Sequence, residues 1–108
     1  MSKNAKKVIS SIVERLKEKY KPEKIILYGS FAYGKPNRDS DIDILIIKSA
    51  KERPIDRRIM VRRIVTDLRK GYPFSPIVIT PDELSQRLKI GDQFLQEIIS
   101  QGRLLYGK

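Results

Sequence analysis

Residues 41–47, with the sequence DIDILII, constrain the fold of this chain more than any other segment. Side chains two residues apart on a β-strand point to the same face, so Asp41 and Asp43 would lie side by side, with Cα atoms about 7 Å apart. Aliphatic side chains follow the aspartates on that face and also occupy the opposite face. A strand that is apolar on both faces is usually covered on both sides. The segment therefore predicts a layered α/β fold in which two carboxylates lie at the start of a buried strand.

The rest of the chain alternates between helical and strand-like hydrophobic spacing. Short apolar runs bounded by glycine or proline predict strands, and longer runs with three- and four-residue spacing predict helices. The chain is thus expected to form one α/β (α+β) domain over residues 1–108, with a small mixed β-sheet flanked by helices in the order α-β-β-α-β-α-α-β. The predicted elements are a helix over 5–20, strands over 24–29 and 41–48, a helix over 55–70, a strand over 75–79, two helices between Thr80 and Gly102 that are divided at Gly91-Asp92, and a strand over 103–107. One further helical turn is allowed for after Gly29.

Two local signals fix the surroundings of the third predicted strand. Pro76 has no N–H group for a sheet ladder, so it predicts an edge position or the start of a strand. Thr80, Pro81 and Glu83 form the pattern of a capping box with proline at the first helical position. A helix is therefore predicted to begin directly after this strand.

The composition narrows the chemistry that the chain can perform. It has no cysteine and no histidine, so disulfides, thiolate metal sites and an imidazole base are excluded. A bound metal would need oxygen ligands, which favours magnesium, manganese or calcium. Neither a membrane span nor a signal peptide is recognisable, so a cytoplasmic protein is expected.

The aspartate pair can be interpreted in two ways from its residues. Two neighbouring carboxylates repel each other and resist desolvation, and a divalent cation would relieve both penalties. Two cations held by such carboxylates are the usual means of activating a phosphate for attack. Alternatively, the segment is a turn leading into the strand, with Ser40 or Asp41 capping the loop and Asp43 in solvent.

The Gly29-Ser30 pair upstream favours the first interpretation. A glycine allows the backbone to approach a ligand closely, and Ser30 offers a hydroxyl and an N–H group. If a helical turn begins at this point, its free N–H groups favour a phosphate. Together with the aspartates, the pair predicts a phosphate site one loop away from a metal site.

The stretch GSFAYGKPNRDSDIDILI resembles the signature of the minimal nucleotidyltransferases, small members of the DNA polymerase β superfamily. That signature has a hydrophobic residue, Gly-Ser, a second glycine, and then Ser-Asp-x-Asp before an apolar strand. The segments IVITPDEL and IISQGRLLYG are also similar to later parts of the family. The matching signature positions are Tyr28, Gly29, Ser30, Gly34, Ser40, Asp41 and Asp43.

The resemblance implies a nucleotidyltransferase fold and a magnesium-dependent transfer of a nucleoside monophosphate to a hydroxyl of a protein or small molecule. The nucleotide is expected to be AMP, with ATP as substrate. Asp41 and Asp43 would be catalytic and would hold Mg²⁺, with room for two ions. The family includes MntA-like antitoxins that act beside a HEPN-type toxin, so a HEPN partner is expected. The residues expected to bind the nucleotide and its phosphates are Gly29, Ser30, Gly34 and Ser40.

Ser75 is the departure from the family pattern. Counting back from Thr80, it occupies the position of a third carboxylate, which in the family completes the metal that activates the attacking hydroxyl. The sequence places no other acid, neither Asp39 nor Asp67 nor Asp82, convincingly at this point. A catalytically weakened module that acts by binding a partner therefore remains the alternative to an active transferase.

The net charge of +10 leaves a further hypothesis, the binding of nucleic acid or an acidic protein. The excess is concentrated in two parts of the chain, residues 1–24 and 48–70. No aromatic residues are interleaved there to stack bases, and a solvated helix face explains the charges equally well. The basic residues of the predicted helix are Arg57, Arg58, Arg62, Arg63, Arg69 and Lys70.

Overall fold

The computed structural model describes residues 2–34, 36–37 and 39–107. Their four strands form one mixed sheet in the order β3-β2-β1-β4. Strand β1 runs antiparallel to β2 and β4, whereas β2 and β3 are parallel. The predicted mixed sheet is confirmed, and Pro76 lies in the edge strand β3. The strands are β1 (Lys24–Tyr28), β2 (Ile42–Ile47), β3 (Phe74–Ile79) and β4 (Arg103–Tyr106).

Five α-helices accompany these strands in the described part of the chain. The helical turn allowed for after Gly29 is present as the short helix α2. Helix α4 begins with the predicted capping box, in which Thr80 Oγ1 accepts from Glu83 N at 3.1 Å and Glu83 Oε1 accepts from Thr80 N at 2.9 Å. The helices are α1 (Lys3–Lys19), α2 (Ser30–Tyr33), α3 (Pro54–Val65), α4 (Pro81–Lys89) and α5 (Gln93–Gln101).

The helix predicted over 55–70 is shorter than expected, because α3 ends at Val65 and a 3₁₀ turn, Thr66–Leu68, follows. Thr66 Oγ1 donates to the carbonyl oxygen of Arg62 at 2.6 Å, a bond within the last turn that tends to bend helices. Lys70 then adopts a φ of 53°, which no α-helix continues. The basic residues after Val65 therefore do not continue the helical face.

Two apolar layers cover the sheet, one on each side. Helices α1, α2 and α3 pack on one face, which includes Ile42, Ile44 and Ile46 of β2. Helices α4 and α5 pack on the other face, where Leu45 and Ile47 lie. These five β2 side chains are buried, so the prediction of a strand covered on both sides is confirmed.

Arg57 of α3 connects the two helical layers around the edge strand. Its side chain is buried, donates to Glu83 Oε1 of α4 at 2.7 Å, and lies 3.4 Å from the carbonyl oxygen of Val78 in β3. It also donates to the carbonyl oxygen of Glu52 at 2.7 Å. The prediction that Arg57 belongs to an exposed basic face is wrong, because the guanidinium group is enclosed and paired.

Across the described residues, no helix combines the length and apolar character needed to cross a membrane.

Candidate active site

Asp41, Asp43 and Ser75 meet at the start of the parallel strands β2 and β3. Asp43 and Ser75 are register partners in this strand pair. Ser75 Oγ donates to Asp41 Oδ2 at 2.8 Å, so the serine hydroxyl lies directly against one carboxylate. The position that the sequence assigned to a missing third carboxylate is therefore next to the aspartate pair.

The two aspartates differ in their surroundings. Asp41 is exposed, whereas Asp43 is half-buried. Burial raises the pKa of the Asp43 carboxyl above its usual value, and the nearby Asp41 charge adds to this effect. Two carboxylates held together in this way at neutral pH carry a repulsion that a cation between them would remove.

Gly29 brings the Gly-Ser turn against Asp43. Its backbone has a φ of 74°, a conformation that favours glycine, and a Cβ atom at this position would collide with Asp43 Oδ2. Ser30 follows as the first residue of α2 and is exposed. The Gly-Ser turn and the aspartate pair, with ten residues between Ser30 and Asp41, thus lie against each other.

Gly34 and Ser40 shape the loop between α2 and β2. Gly34 ends α2 with a φ of 120°, and its N–H donates to the carbonyl oxygen of Ser30 at 3.2 Å. Ser40 Oγ accepts from the N–H of Asn37 at 2.9 Å. Lys35 and Arg38 of this loop lie outside the described residues, and the contacts of Ser40 are made within the loop.

Tyr28 and Phe94 extend the site beyond the residues that the sequence singled out. Tyr28 is the β1 partner of Asp43, and burial, followed by the Asp43 charge, raises the pKa of its phenol to about 12. The ring of Phe94, in the first turn of α5, meets the ring of Tyr28 edge to face at a centroid distance of 5.7 Å. In the sequence, Tyr28 was marked only as the residue before Gly-Ser, and nothing marked Phe94 as a site residue. The available signal was an aromatic residue beside the apolar helix positions Leu95 and Ile98.

The carboxylates fit one magnesium ion better than two. Magnesium is commonly held by one or two carboxylates together with substrate phosphates and water. Asp41 and Asp43 can supply the two carboxylates for one ion. Within residues 2–34, 36–37 and 39–107, no group of three acidic side chains is placed to hold a metal ion. Asp67 is paired with Arg15 at 3.0 Å, and Asp82 is exposed in the first turn of α4. Ser75 can contribute only a weaker, neutral oxygen ligand.

The basic residues after position 54 do not form one continuous charged surface. Arg57 is buried, Arg62 donates to the carbonyl oxygen of Phe74 at 3.1 Å, and Arg69 donates to that of Tyr72 at 3.2 Å. Half of the predicted set is therefore engaged in holding the fold together. Those that are exposed are Arg58, Arg63 and Lys70.

The amino-acid sequence is similar to two curated proteins of Methanocaldococcus jannaschii. The "Putative protein adenylyltransferase MJ1305" is 32% identical over 106 residues, which span 94% of this chain and 71% of that protein. The "Putative protein adenylyltransferase MJ0604" is 33% identical over 105 residues, which span 95% of this chain and 99% of that protein.

The fold is similar to solved structures of the toxin–antitoxin MntA-HpeT. One mutant of that system matches with a TM-score of 0.61 at 21% identity, covering 93% of this chain and 72% of the other. A second mutant matches with a TM-score of 0.59 at 22% identity, covering 91% and 72%. At these identities the likeness establishes the nucleotidyltransferase fold.

The family model of the nucleotidyltransferase domain matches residues 9–106, which include every element of the sheet and the aspartate pair. This match, the two curated relatives and the arrangement around Asp41 and Asp43 agree with one another. The chain belongs to the nucleotidyltransferase domain family.

Proposed function

We propose that this protein is a magnesium-dependent nucleotidyltransferase that transfers AMP from ATP to a hydroxyl group of a partner protein. The observation that carries the proposal is the contact between Gly29 and Asp43, which puts a Gly-Ser turn beside two carboxylates. The names of the two curated relatives support AMP as the transferred group and a protein as the acceptor.

Different residues would bind the phosphates and the metal. The hydroxyl of Ser30 and the backbone at Gly29 would bind the triphosphate, while Asp41 and Asp43 would hold Mg²⁺. The metal would supply positive charge to the phosphate oxygens. The acceptor oxygen forms a bond to the α-phosphorus, the bond from that phosphorus to the β-phosphate oxygen breaks, and pyrophosphate leaves. Ser75 is no base, so the hydroxyl proton passes to water.

The biological setting that fits best is an antitoxin of a HEPN-type toxin, acting in the cytoplasm. The similarity in fold to MntA-HpeT supports a protein partner. The net charge of +10 would favour association with an acidic protein surface. A tyrosine or serine hydroxyl on that partner is the acceptor that the proposal requires.

Ser75 favours one alternative, a module that neutralises its partner by binding and transfers little or no AMP. The serine hydroxyl occupies one lone pair of Asp41 Oδ2 and brings no charge of its own. Under this alternative the aspartates still bind a magnesium nucleotide, and the complex with the partner forms without transfer.

Labelled ATP separates the two functions. The protein is incubated with magnesium, the candidate partner protein, and ATP carrying radioactive phosphorus at either the α or the γ position. Transfer of α label alone to the partner supports the proposed enzyme, and the Asp41→Asn/Asp43→Asn variant should abolish it. Stable association with the partner without α label would instead establish the binding module.

A further inference from the structure

We propose that Phe94 and the cleft beside it bind the base of the nucleoside triphosphate. The proposal rests on the proposed function, because it assigns the part of the nucleotide that lies beyond the phosphates. It makes Phe94 a residue that governs affinity for the nucleotide and has no part in the transfer step.

The cleft begins on β3 two residues beyond Ser75, next to the candidate metal site. Ile77 follows Ser75 by two residues on the same face of β3, so the two Cα atoms lie about 7 Å apart. Ile77 is also the register partner of Leu45, which follows Asp43 by two residues on β2. From Ile77 the cleft extends over about 400 Å³ toward α4 and α5, and its walls include Phe94 and Leu95. Phe94 also contacts Tyr28, the register partner of Asp43, so the cleft lies on the side of the site toward which a base joined through ribose to a phosphate at Asp43 could extend.

Phe94 has more exposed surface than its place on the helix requires. The core residues of α5 are Leu95 and Ile98, which are 4% and 1% exposed. Phe94 is 52% exposed even though it lies next to them. The edge-to-face contact with Tyr28, at 85° between the ring planes, fixes the orientation of the ring. An aromatic face that is held in place and open to solvent can stack on a base.

The other walls of the cleft suit a flat heterocycle with a polar edge. Ile77 and Leu95 are apolar, and the amide of Gln86 can both donate and accept a hydrogen bond. The charged residues that line the cleft are all paired: Arg87 Nε with Asp92 Oδ2 at 3.0 Å, and Glu83 with Arg57 of α3. The cleft thus combines an aromatic platform, apolar sides and a neutral polar group, which is typical of small-molecule sites.

Calorimetric titration with two magnesium-bound probes tests the assignment, because ATP carries a base and inorganic tripolyphosphate does not. Replacing Phe94 by alanine is expected to weaken magnesium-ATP binding about five- to hundredfold, the range of a lost base–aromatic stack. Binding of magnesium-tripolyphosphate should stay within twofold of the wild type. Phe94→Leu keeps an apolar side chain but loses the aromatic ring, so it should also weaken ATP binding. Phe94→Trp keeps an aromatic ring and should bind ATP as tightly as the wild type.

Ile99→Ala is the matched control, since Ile99 is an exposed apolar residue of the same helix and does not line the cleft. It should change neither the affinity for magnesium-ATP nor that for magnesium-tripolyphosphate.

The proposal is wrong if Phe94→Ala and Phe94→Leu retain full ATP affinity, or if they weaken the binding of both probes equally. Retained ATP affinity with slower transfer would place Phe94 at the acceptor and overturn the proposal. If the wild type binds magnesium-ATP and the Phe94 variants bind it equally well, the base site alone fails; if the wild type does not bind magnesium-ATP, the proposed function fails with it.

Discussion

Ser75 and Asp41 share a hydrogen bond at the position where the resemblance calls for a carboxylate. The donated proton satisfies Asp41 but adds no negative charge for a second cation. The register of β2 and β3 puts Ser75 directly opposite Asp43, so a carboxylate introduced here would join the existing pair.

Ser75→Asp is therefore expected to bind magnesium about tenfold more tightly and to raise the rate of AMP transfer, because a third carboxylate completes an oxygen ligand set. Without metal, the variant should be less stable than the wild type, since three like charges then lie together. Magnesium titrations followed by thermal unfolding measure the affinity and the stability, and the assay with α-labelled ATP measures the transfer rate. Ser75→Ala serves as the control for losing the hydroxyl. A folded Ser75→Asp protein with unchanged magnesium affinity would show that residue 75 is not at the metal.

Gly29 and Gly34 allow a comparison of two glycines with positive φ. A side chain at either position costs about 1–2 kcal/mol of stability in such a conformation. At Gly29 the new Cβ would also displace the Asp43 carboxylate, while at Gly34 it would meet open space. Gly29→Ala should therefore lose magnesium-dependent ATP binding, and Gly34→Ala should retain it. Equal nucleotide affinity in the two folded variants would contradict the contact between the Gly-Ser turn and Asp43.

At the scale of elements, the Arg57–Glu83 pair joins α3 to α4. Removing one member of a buried ion pair leaves the charge of its partner unpaired. The free energy lost in this way is larger than the net stabilisation that the intact pair provides. The Glu83 side chain is 40% exposed, so solvent compensates part of this loss. Arg57→Ala is expected to lower the free energy of unfolding by about 2 kcal/mol. Arg58→Ala, at the exposed neighbouring position, should change it by less than about 0.5 kcal/mol.

The Arg57–Glu83 pair also makes the stability of the protein depend on pH. Hydrogen bonds from Arg57 and from the N–H of Thr80 hold the pKa of Glu83 below its usual value of 4.5. The unfolded chain therefore binds the proton more readily, and the stabilisation is present above pH 4.5 and is lost as the pH falls through the folded pKa. The stability difference between wild type and Arg57→Ala should shrink below pH 4.5, as measured by urea unfolding at several pH values. A constant difference down to pH 2 would mean that Glu83 is not the partner that matters.

The sequence predicted the elements well where the signals were local. The strand over 41–48, the edge position of Pro76 and the start of α4 follow from a run that is apolar on both faces, a missing N–H group and a capping pattern. The length of α3 was overestimated because the Thr66 hydroxyl competes for a helix carbonyl, which hydrophobic spacing does not reveal. The burial of Arg57 and the exposure of Phe94 depend on which helices meet around the sheet, so neither was predictable from its own segment.

At the scale of the whole molecule, the sheet order assembles the candidate site from distant parts of the chain. Tyr28 of β1, Asp43 of β2 and Ser75 of β3 lie side by side because these strands are neighbours in the sheet. The sequence predicted the Gly-Ser turn one loop away from the aspartates, and the structure places Gly29 against Asp43. That α5 lies beside the site could be seen only in the three-dimensional structure, because Phe94 follows Asp43 by about fifty residues in the sequence.

Calorimetric titration of ATP into the protein, with magnesium and then with EDTA, is the measurement to make first, because it requires no knowledge of the acceptor. We expect binding that needs magnesium and is lost in the Asp41→Asn/Asp43→Asn variant, whose thermal unfolding should remain cooperative. Asp82→Asn, an exposed acid outside the site, should bind ATP like the wild type. Magnesium-dependent binding that survives in the double variant, or no binding by the wild type at millimolar ATP, would contradict the metal and nucleotide site proposed around Asp41 and Asp43.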